Sequence, residues 1–379
     1  MQNIYIHGIG LTPVGEHWHL SLRELALDAI QAAKQDAPGL KPDALFVGNM
    51  LSGELSHQEH LGALIADFAG MRGIEAVTVE AAGASGAAAL RQAVLAVASG
   101  SVETALVVGV EKMTDKVGPG ATAAATTASD SDWEAAQGVT PTALGALLMR
   151  RYMHEYNVEL KDFAGFSVNA HANAKNNPNA MFHNSITPEA YLKAGMVSEP
   201  INMFDTAPEA DGAAALIISA SQDHAQVRVA ASAIATDTLA VHDRPDPLGF
   251  EAARISAVKA YQLAGIGPQD VDLFELHDVF TVFAALSLEA AGFAERGQGW
   301  ELARGPIAIT GRIPISTLGG LKARGNPGGA SGVYQLAEVV LQLRGAAGAT
   351  QIKDAHWGMA QSLGGAGATA VTHIFEKIA

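Results

Sequence analysis

The 379-residue chain contains no cysteine. That single absence excludes a disulfide framework, a thiolate metal site and a thiolate nucleophile. Positive charge is also scarce, with 24 Lys and Arg against 39 Asp and Glu and a net charge of −15. A nucleic-acid partner held by global basicity is therefore excluded, and a polyanionic small molecule would have to be met by a local basic patch. Aromatic residues make up 6% and charged residues 17%, whereas hydrophobic residues reach 49%, a balance that suits a large, closely packed interior. Long apolar runs are missing. The most apolar, Ala213 to Ala220, falls far short of the ~20 residues that span a bilayer, so no membrane partner is expected. Met1-Gln2-Asn3-Ile4 lacks the charged region and apolar core of a signal peptide, and the expected location is the cytoplasm.

What the chain has in quantity is small residues, 40 of them glycine, which favour tight contacts between helices and sheets. Its length exceeds the ~250–300 residues at which one core stops growing, so one large or two medium domains are expected. Short β-like runs alternate with helical patterns from end to end, the signature of an α/β protein. Ile4 to Ile9 reads as a strand. Ser21 and Glu24 form a capping box for a helix to Ala33, with Leu22, Leu25, Ala26 and Ala29 at helical spacing. Asp43 to Val47, Val77 to Glu80 and Glu103 to Val110 read as further strands. A helix from about Ala84 to Ser99 stops at Gly100.

The two halves repeat each other. In the first, a helix precedes Pro42-Asp43-Ala44-Leu45-Phe46, and Gly83-Ala84-Ser85-Gly86 later opens a helix. In the second, a helix from Glu251 to Leu263 precedes Asp270-Val271-Asp272-Leu273-Phe274, and Gly329-Ala330-Ser331-Gly332 opens a helix over Val333 to Leu343. Two copies of one βαβ-rich unit, stacked sheet to sheet, are expected. Residues 1–115 and 201–235 form the first half and 236–379 the second. Residues 116–200 read as an inserted loop subdomain, with a surface loop over Gly118 to Ser131, a helix carrying Leu144, Leu148 and Tyr152, and an Asn-rich stretch from Asn169 to Asn184.

The run from Ile315 to Gly332, ISTLGGLKARGNPGGASG, resembles the thiolase signature, with Gly325-Asn326-Pro327 where that family usually has GHP. His277-Asp278-Val279-Phe280 is similar to the HDxF motif of the sterol-carrier and archaeal branch, and Ser362-Leu363-Gly364-Gly365 stands where thiolases place a C-x-G loop. Val108 to Asp115 and Asp205 to Gly212 are similar to the same branch, so the resemblance covers nearly the whole chain. It implies the five-layered αβαβα thiolase fold, an insert that covers coenzyme A, and a homodimer.

The resemblance also implies which positions carry chemistry. A thiolase needs a thiolate to accept the acyl group, a histidine to activate it and a second cysteine to move the α-proton. The corresponding positions here are Gly83, Asn326 and Ser362, and His277 alone remains titratable. Ser85 lies about 200° further round its helix than Gly83 and cannot stand in for the missing thiol. The expected catalytic set is thus His277, Asn326, Gly83, Ser362 and Gly364. His277 and Asn326 would polarise a thioester oxygen, and His277 would also exchange a proton near neutral pH. Backbone N–H groups around Gly83 and Gly364 would complete an anion site. Tyr334 is a candidate base or a core residue.

Lys322 and Arg324 are candidates to meet the phosphates of coenzyme A, or equally to fix their own loop. His171 and Lys175 are candidate cofactor contacts on the insert. His17 and His19 lack a carboxylate partner in the sequence, and no metal site is expected. The reading reached is an acyl-CoA enzyme that makes or breaks a C–C bond without an acyl-cysteine, most concretely an aldol-type lyase. Coenzyme A would be part of its substrate, with no permanently bound cofactor. The thiolase-like retro-aldolases that this resembles work beside a small OB-fold, zinc-ribbon partner. Ordinary acyltransfer by another mechanism, and a non-catalytic thiolase-fold subunit of such a complex, are the alternatives.

Overall fold

A computed structural model describes residues 2–116 and 118–378. The first half runs β1 (Ile4–Leu11), α1 (Leu22–Asp36), β2 (Ala44–Gly48), α2 (Ser52–Leu55), α3 (Leu61–Phe68), β3 (Glu75–Val79), α4 (Ser85–Ala98) and β4 (Thr104–Glu111). The chain then leaves the sheet through α5 (Pro119–Thr126), α6 (Pro141–Tyr156), α7 (Leu160–Ala174), α8 (Pro188–Leu192) and the short pair β5 (Met196–Ser198) and β6 (Ile201–Asn202). It returns as β7 (Gly212–Ser219) and β8 (Val227–Thr236). After these come α9 (Glu251–Ala264), β9 (Leu273–Glu275), α10 (Thr281–Ala290), α11 (Ser331–Arg344), β10 (Trp357–Gly364) and β11 (Thr369–Lys377).

The strands join in the order β3-β2-β4-β7-β1-β8-β11-β10-β9. The repeat is visible in that order. β3-β2-β4-β7-β1 is matched by an isolated bridge at Ile315, then β9-β10-β11-β8, with Ile315 paired to Phe274 in parallel as β3 is to β2. The two half-sheets meet edge to edge through β1 and β8, where Ile4, Tyr5 and Ile6 face Val229, Arg228 and Val227. They do not stack directly on one another. The layer between them is α4 and α11, whose apolar faces share one core with Phe46, Val107 and Leu216 of the first half and Leu273 and Phe375 of the second. α1 and α3 cover the outer face of the first half through Leu25, Ile30 and Ile65, and α9 and α10 that of the second through Ala257 and Phe283. Five layers, αβαβα, result.

The duplicated Gly-Ala-Ser-Gly segments build the middle layer. Each is a 3-10 turn, Ala82–Ala84 or Gly328–Ala330, that runs into an α-helix at its serine. A Cβ on Gly86 would lie 2.8 Å from the Gly329 carbonyl oxygen, and one on Gly332 would lie 2.5 Å from Ala87 N. Only glycine lets the two helix starts approach so closely. The expected capping box is present, Ser21 N donating to Glu24 Oε2 at 2.7 Å.

One local reading needs correction, and two stretches the sequence left unassigned take definite form. The stretch from Gly118 to Ser131 is not a plain loop, since α5 forms from its alanines behind Pro119. Asp270 to Phe274 is strand only from Leu273, because Pro268–Asp270 make a 3-10 turn. The Asn-rich stretch begins inside α7, and its amides clasp the signature loop at helical spacing. Asn169 Nδ2 donates to Ile315 O (3.2 Å), Asn173 Nδ2 to Ser316 O (3.0 Å) and Asn177 Nδ2 to Leu318 O (2.8 Å).

Candidate active site

A cavity of about 170 Å³ lies beside the N-terminal turn of α4. Gly83 forms part of its wall, and the preceding Ala82 holds φ +49, a left-handed conformation that a non-glycine residue adopts only when its surroundings impose it. Ser85 closes this turn, its Oγ donating to Ala82 O (2.6 Å) and accepting from Ala81 N (2.9 Å), so that hydroxyl is occupied. No side chain caps α4, and the positive end of the helix is left to the cavity.

His277 enters from the loop after β9. A Cβ on Gly83 would lie 2.8 Å from Leu363 O and 3.0 Å from His277 Cε1, so Gly83 and the imidazole are in contact. A side chain at Gly83 would displace the ring. Asn326 completes this end: its Oδ1 accepts from Ser331 Oγ at 2.8 Å, which orients the Nδ2 donors toward the cavity. The structure therefore brings together Gly83, His277 and Asn326.

His277 is 5% exposed, and its Nδ1 is buried without a hydrogen-bond partner among the described residues. Burial, reinforced by the Arg324 charge, pushes its pKa down to about 3. The ring is neutral at physiological pH. It can donate to a developing oxyanion, but proton exchange near neutrality, as expected from the sequence, does not fit this environment. In a pH titration followed by NMR on ring-labelled histidine, the His277 signals are expected to stay those of neutral imidazole from pH 8 to pH 5. A midpoint near 6.5 would contradict this.

Ser362, Lys322, Arg324, His171 and Lys175 are not on the cavity wall. Ser362 is buried on the face of β10 opposite to Leu363, and its Oγ donates to Gln335 Oε1 at 2.6 Å. Lys322 is 2% exposed and donates to the Asp205 carbonyl at 2.8 Å, and burial lowers its pKa to about 8. Arg324 is fully buried, with Nε 2.7 Å from Glu338 Oε1 and its guanidinium 4.8 Å over the Tyr334 ring. Lys322 and Arg324 are thus buried and engaged by groups of the protein itself, one of the two roles the sequence left open. His171 is buried between Phe182 and Phe204, its Nδ1 3.2 Å from Asn184 O. Lys175 is exposed at the end of α7 and does not line the cavity.

Gly364 stands one step behind the wall, between the lining residues Leu363 and Gly365. A Cβ there would lie 2.4 Å from Ala81 O, so it sets how closely β10 approaches the Gly83 turn. Tyr334 is a core residue. It is fully buried, does not line the cavity, and its hydroxyl donates to Thr12 O (2.9 Å), while desolvation raises its pKa. Beneath the cavity floor at Met50 and Gly328, the buried Glu111 carboxylate accepts from Asn49 Nδ2, Met50 N, Leu51 N and Gly329 N at 2.7–3.2 Å. It pins three loops together, and burial raises its pKa to about 7.

Sequence reasoning missed the remaining walls. Thr122 and Ala125 come from α5, Pro141 and Leu144 from α6, and Phe280 and Phe283 pack edge to face against each other at 5.2 Å. Phe280 was legible as part of the HDVF motif, and the others carried no local signal. Glu209 was missed as well, although it lay inside a recognised segment.

A thiolase N-terminal domain model matches residues 4–222 and a thiolase C-terminal domain-like model residues 233–377. An acetyl-CoA acetyltransferase of Methanothermobacter thermautotrophicus is 44% identical over 385 residues and spans 100% of both chains. The benzoylsuccinyl-CoA thiolase subunit BbsB of Thauera aromatica is 33% identical, over 90% of this chain and 89% of its own. Among solved structures, the Ltp2-ChsH2(DUF35) aldolase superposes with a TM-score of 0.85 at 26% identity, over 99% of this chain and 98% of that one. No helix among the described residues is long and apolar enough to cross a membrane.

Proposed function

Because the chain belongs to the thiolase family yet brings no thiol to its cavity, we propose that it makes or breaks a C–C bond next to a CoA thioester carbonyl without an acyl-enzyme, in the manner of an aldol-type lyase. One observation carries this reading: Gly83 occupies the position beside His277 and Asn326 where a nucleophile would stand. The hydroxyls on the cavity wall, at Thr122, Ser129, Thr142 and Thr206, do not replace it. None is hydrogen-bonded to a histidine or carboxylate among the described residues, so none is activated.

The chemistry follows from what is left. Asn326 and the neutral His277 donate to the thioester oxygen and stabilise it more as negative charge gathers there. The carbon next to the carbonyl then becomes a leaving or attacking carbanion. The part of the wall formed by Leu144, Val279, Phe280 and Phe283 is apolar and suits the acyl chain and its carbonyl partner. The segment 116–200 belongs to this reading as the cover of the CoA moiety, since α5 and α6 wall the cavity, and Lys175 remains a candidate contact to its outer phosphates. Two copies of the chain, together with a small OB-fold, zinc-ribbon protein, are the assembly proposed. The DUF35 component of the aldolase neighbour supports such a partner.

The test combines turnover with intact mass. Incubated with 3-hydroxyacyl-CoA substrates and its natural partners, the protein is expected to release an aldehyde or ketone and a shortened acyl-CoA, with no acyl increment on the chain. A covalent acyl adduct, or failure to bind and turn over any CoA thioester, would sink the proposal. The names of the acetyltransferase and thiolase relatives favour a second reading, acyltransfer without a covalent cysteine intermediate. Rapid thiolysis of acetoacetyl-CoA would establish that reading instead.

A further inference from the structure

The site as described stabilises an enolate but contains no group to take the proton. The cysteine that thiolases use has become Ser362, which is buried and bonded to Gln335. His277 and Glu209 are the titratable side chains among the residues lining the cavity, and the imidazole is held neutral as a donor. Glu209 belongs to the loop before β7. A short parallel pairing joins that loop to the signature loop, with Asn326 N donating to Pro208 O (2.9 Å) and Ala210 N to Asn326 O (3.2 Å). Residues paired in this way carry their side chains on the same side. Glu209 and Asn326 therefore stand together, both on the cavity wall.

No hydrogen bond or ion pair holds the Glu209 carboxyl among the described residues. Glu209 is exposed, open to both the cavity and solvent, and the protein that flanks its carboxyl on the cavity wall desolvates it enough to raise its pKa above the ordinary glutamate value. Such a carboxylate is free to move and is made more basic by its surroundings.

We propose that Glu209 is the group that takes and returns the proton at the α-carbon of the bound thioester. The Cα–H bond breaks and its proton passes to a Glu209 carboxylate oxygen. The C–H electron pair becomes the new C=C bond, and the carbonyl pair moves onto the thioester oxygen, held by His277 and Asn326. Returning the proton regenerates the thioester. No oxidant, reductant or further reactant is consumed. In the cleavage direction, the same carboxylate accepts the proton of a β-hydroxyl as the C–C bond breaks and then delivers it to the enolate carbon.

This inference rests on the enolate chemistry proposed above, and one experiment separates the two. Acetyl-CoA is incubated with the protein and its natural partners in D2O, and deuterium uptake at the methyl group is followed by NMR, with acetyl-CoA binding measured in parallel. The wild-type protein is expected to exchange these protons. Glu209→Gln is expected to bind acetyl-CoA within about threefold of wild type but to exchange at least 100-fold more slowly. Glu209→Asp, with the carboxylate drawn back by one methylene, is expected to lose 10-fold or more, and it decides the matter should the glutamine variant misfold. Exchange by a folded Glu209 variant within threefold of wild type overturns the role of Glu209 alone. Absence of exchange by the wild-type protein overturns both the enolate reading and this inference.

Discussion

Replacing His277 with alanine is expected to lower turnover of a CoA thioester by about 10²- to 10³-fold, equivalent to about 2.7–4 kcal/mol of lost transition-state stabilisation. The effect should fall on kcat rather than KM. A neutral imidazole donor interacts modestly with a ground-state carbonyl oxygen and strongly with the charge that develops on it. Stability should change little by comparison, because the buried His277 Nδ1 has no hydrogen-bond partner to lose among the described residues. His277→Ala and Asn326→Ala should not add, since both donate to one oxygen and either alone leaves the other mis-set. Steady-state kinetics of the two single variants and the double variant test this. A His277→Ala protein with turnover within twofold of wild type would remove His277 from the chemistry and favour a subunit that acts through assembly.

The second large effect concerns stability. Arg324→Met is expected to destabilise the fold by about 3–5 kcal/mol at neutral pH, because it leaves buried carboxyls without their cation. In a chain this large, that lowers the melting temperature by roughly 4–6 °C. Arg324 is fully buried against Glu338, over Tyr334, and its charge also acts on Glu275, Asp278 and His277. Burial already holds the Glu338 and Glu275 carboxyls well above the usual carboxylate range. A carboxyl whose folded pKa is raised adds stability in its protonated form, and that contribution is lost as pH rises through the folded pKa. Removing Arg324 raises those values further. The deficit of Arg324→Met should accordingly be smaller at pH 5.5 than at pH 8.5. The double variant Arg324→Met with Glu338→Met should recover part of the loss, since an apolar pair of similar volume needs no counter-charge. Thermal melts of the three proteins at the two pH values provide the check. Equal deficits at both pH values would show that the carboxyls stay charged without Arg324.

Much of the architecture was legible because it depends on local order. The capping box at Ser21, the Gly-Ala-Ser-Gly helix starts and the apolar runs of β2, β4 and β7 are each set by near neighbours in sequence. The missing thiol was legible too, since it is a matter of composition alone. Gly83, His277 and Asn326 were found through short motifs whose chemistry is carried by their own residues.

What the sequence left open has a common origin. Lys322 and Arg324 had two possible roles because lysine and arginine are mostly exposed, and a π-helical turn over Gly320–Arg324 carries both inward. Ser362 and Leu363 are adjacent, but the pleat of β10 sends them to opposite faces, and only the packed structure says which face meets the cavity. Glu209 stands beside Asn326 because of two backbone hydrogen bonds between segments far apart in the chain. The sequence by itself determined the α/β class, its duplication and the lack of a thiol, because these follow from periodicity, repetition and composition, while the five-layered αβαβα plan was implied by the resemblance of its motifs to those of thiolases. The tertiary structure alone decided which polar groups face the cavity and which are sealed in the core, because that choice is made by long-range pairing and burial.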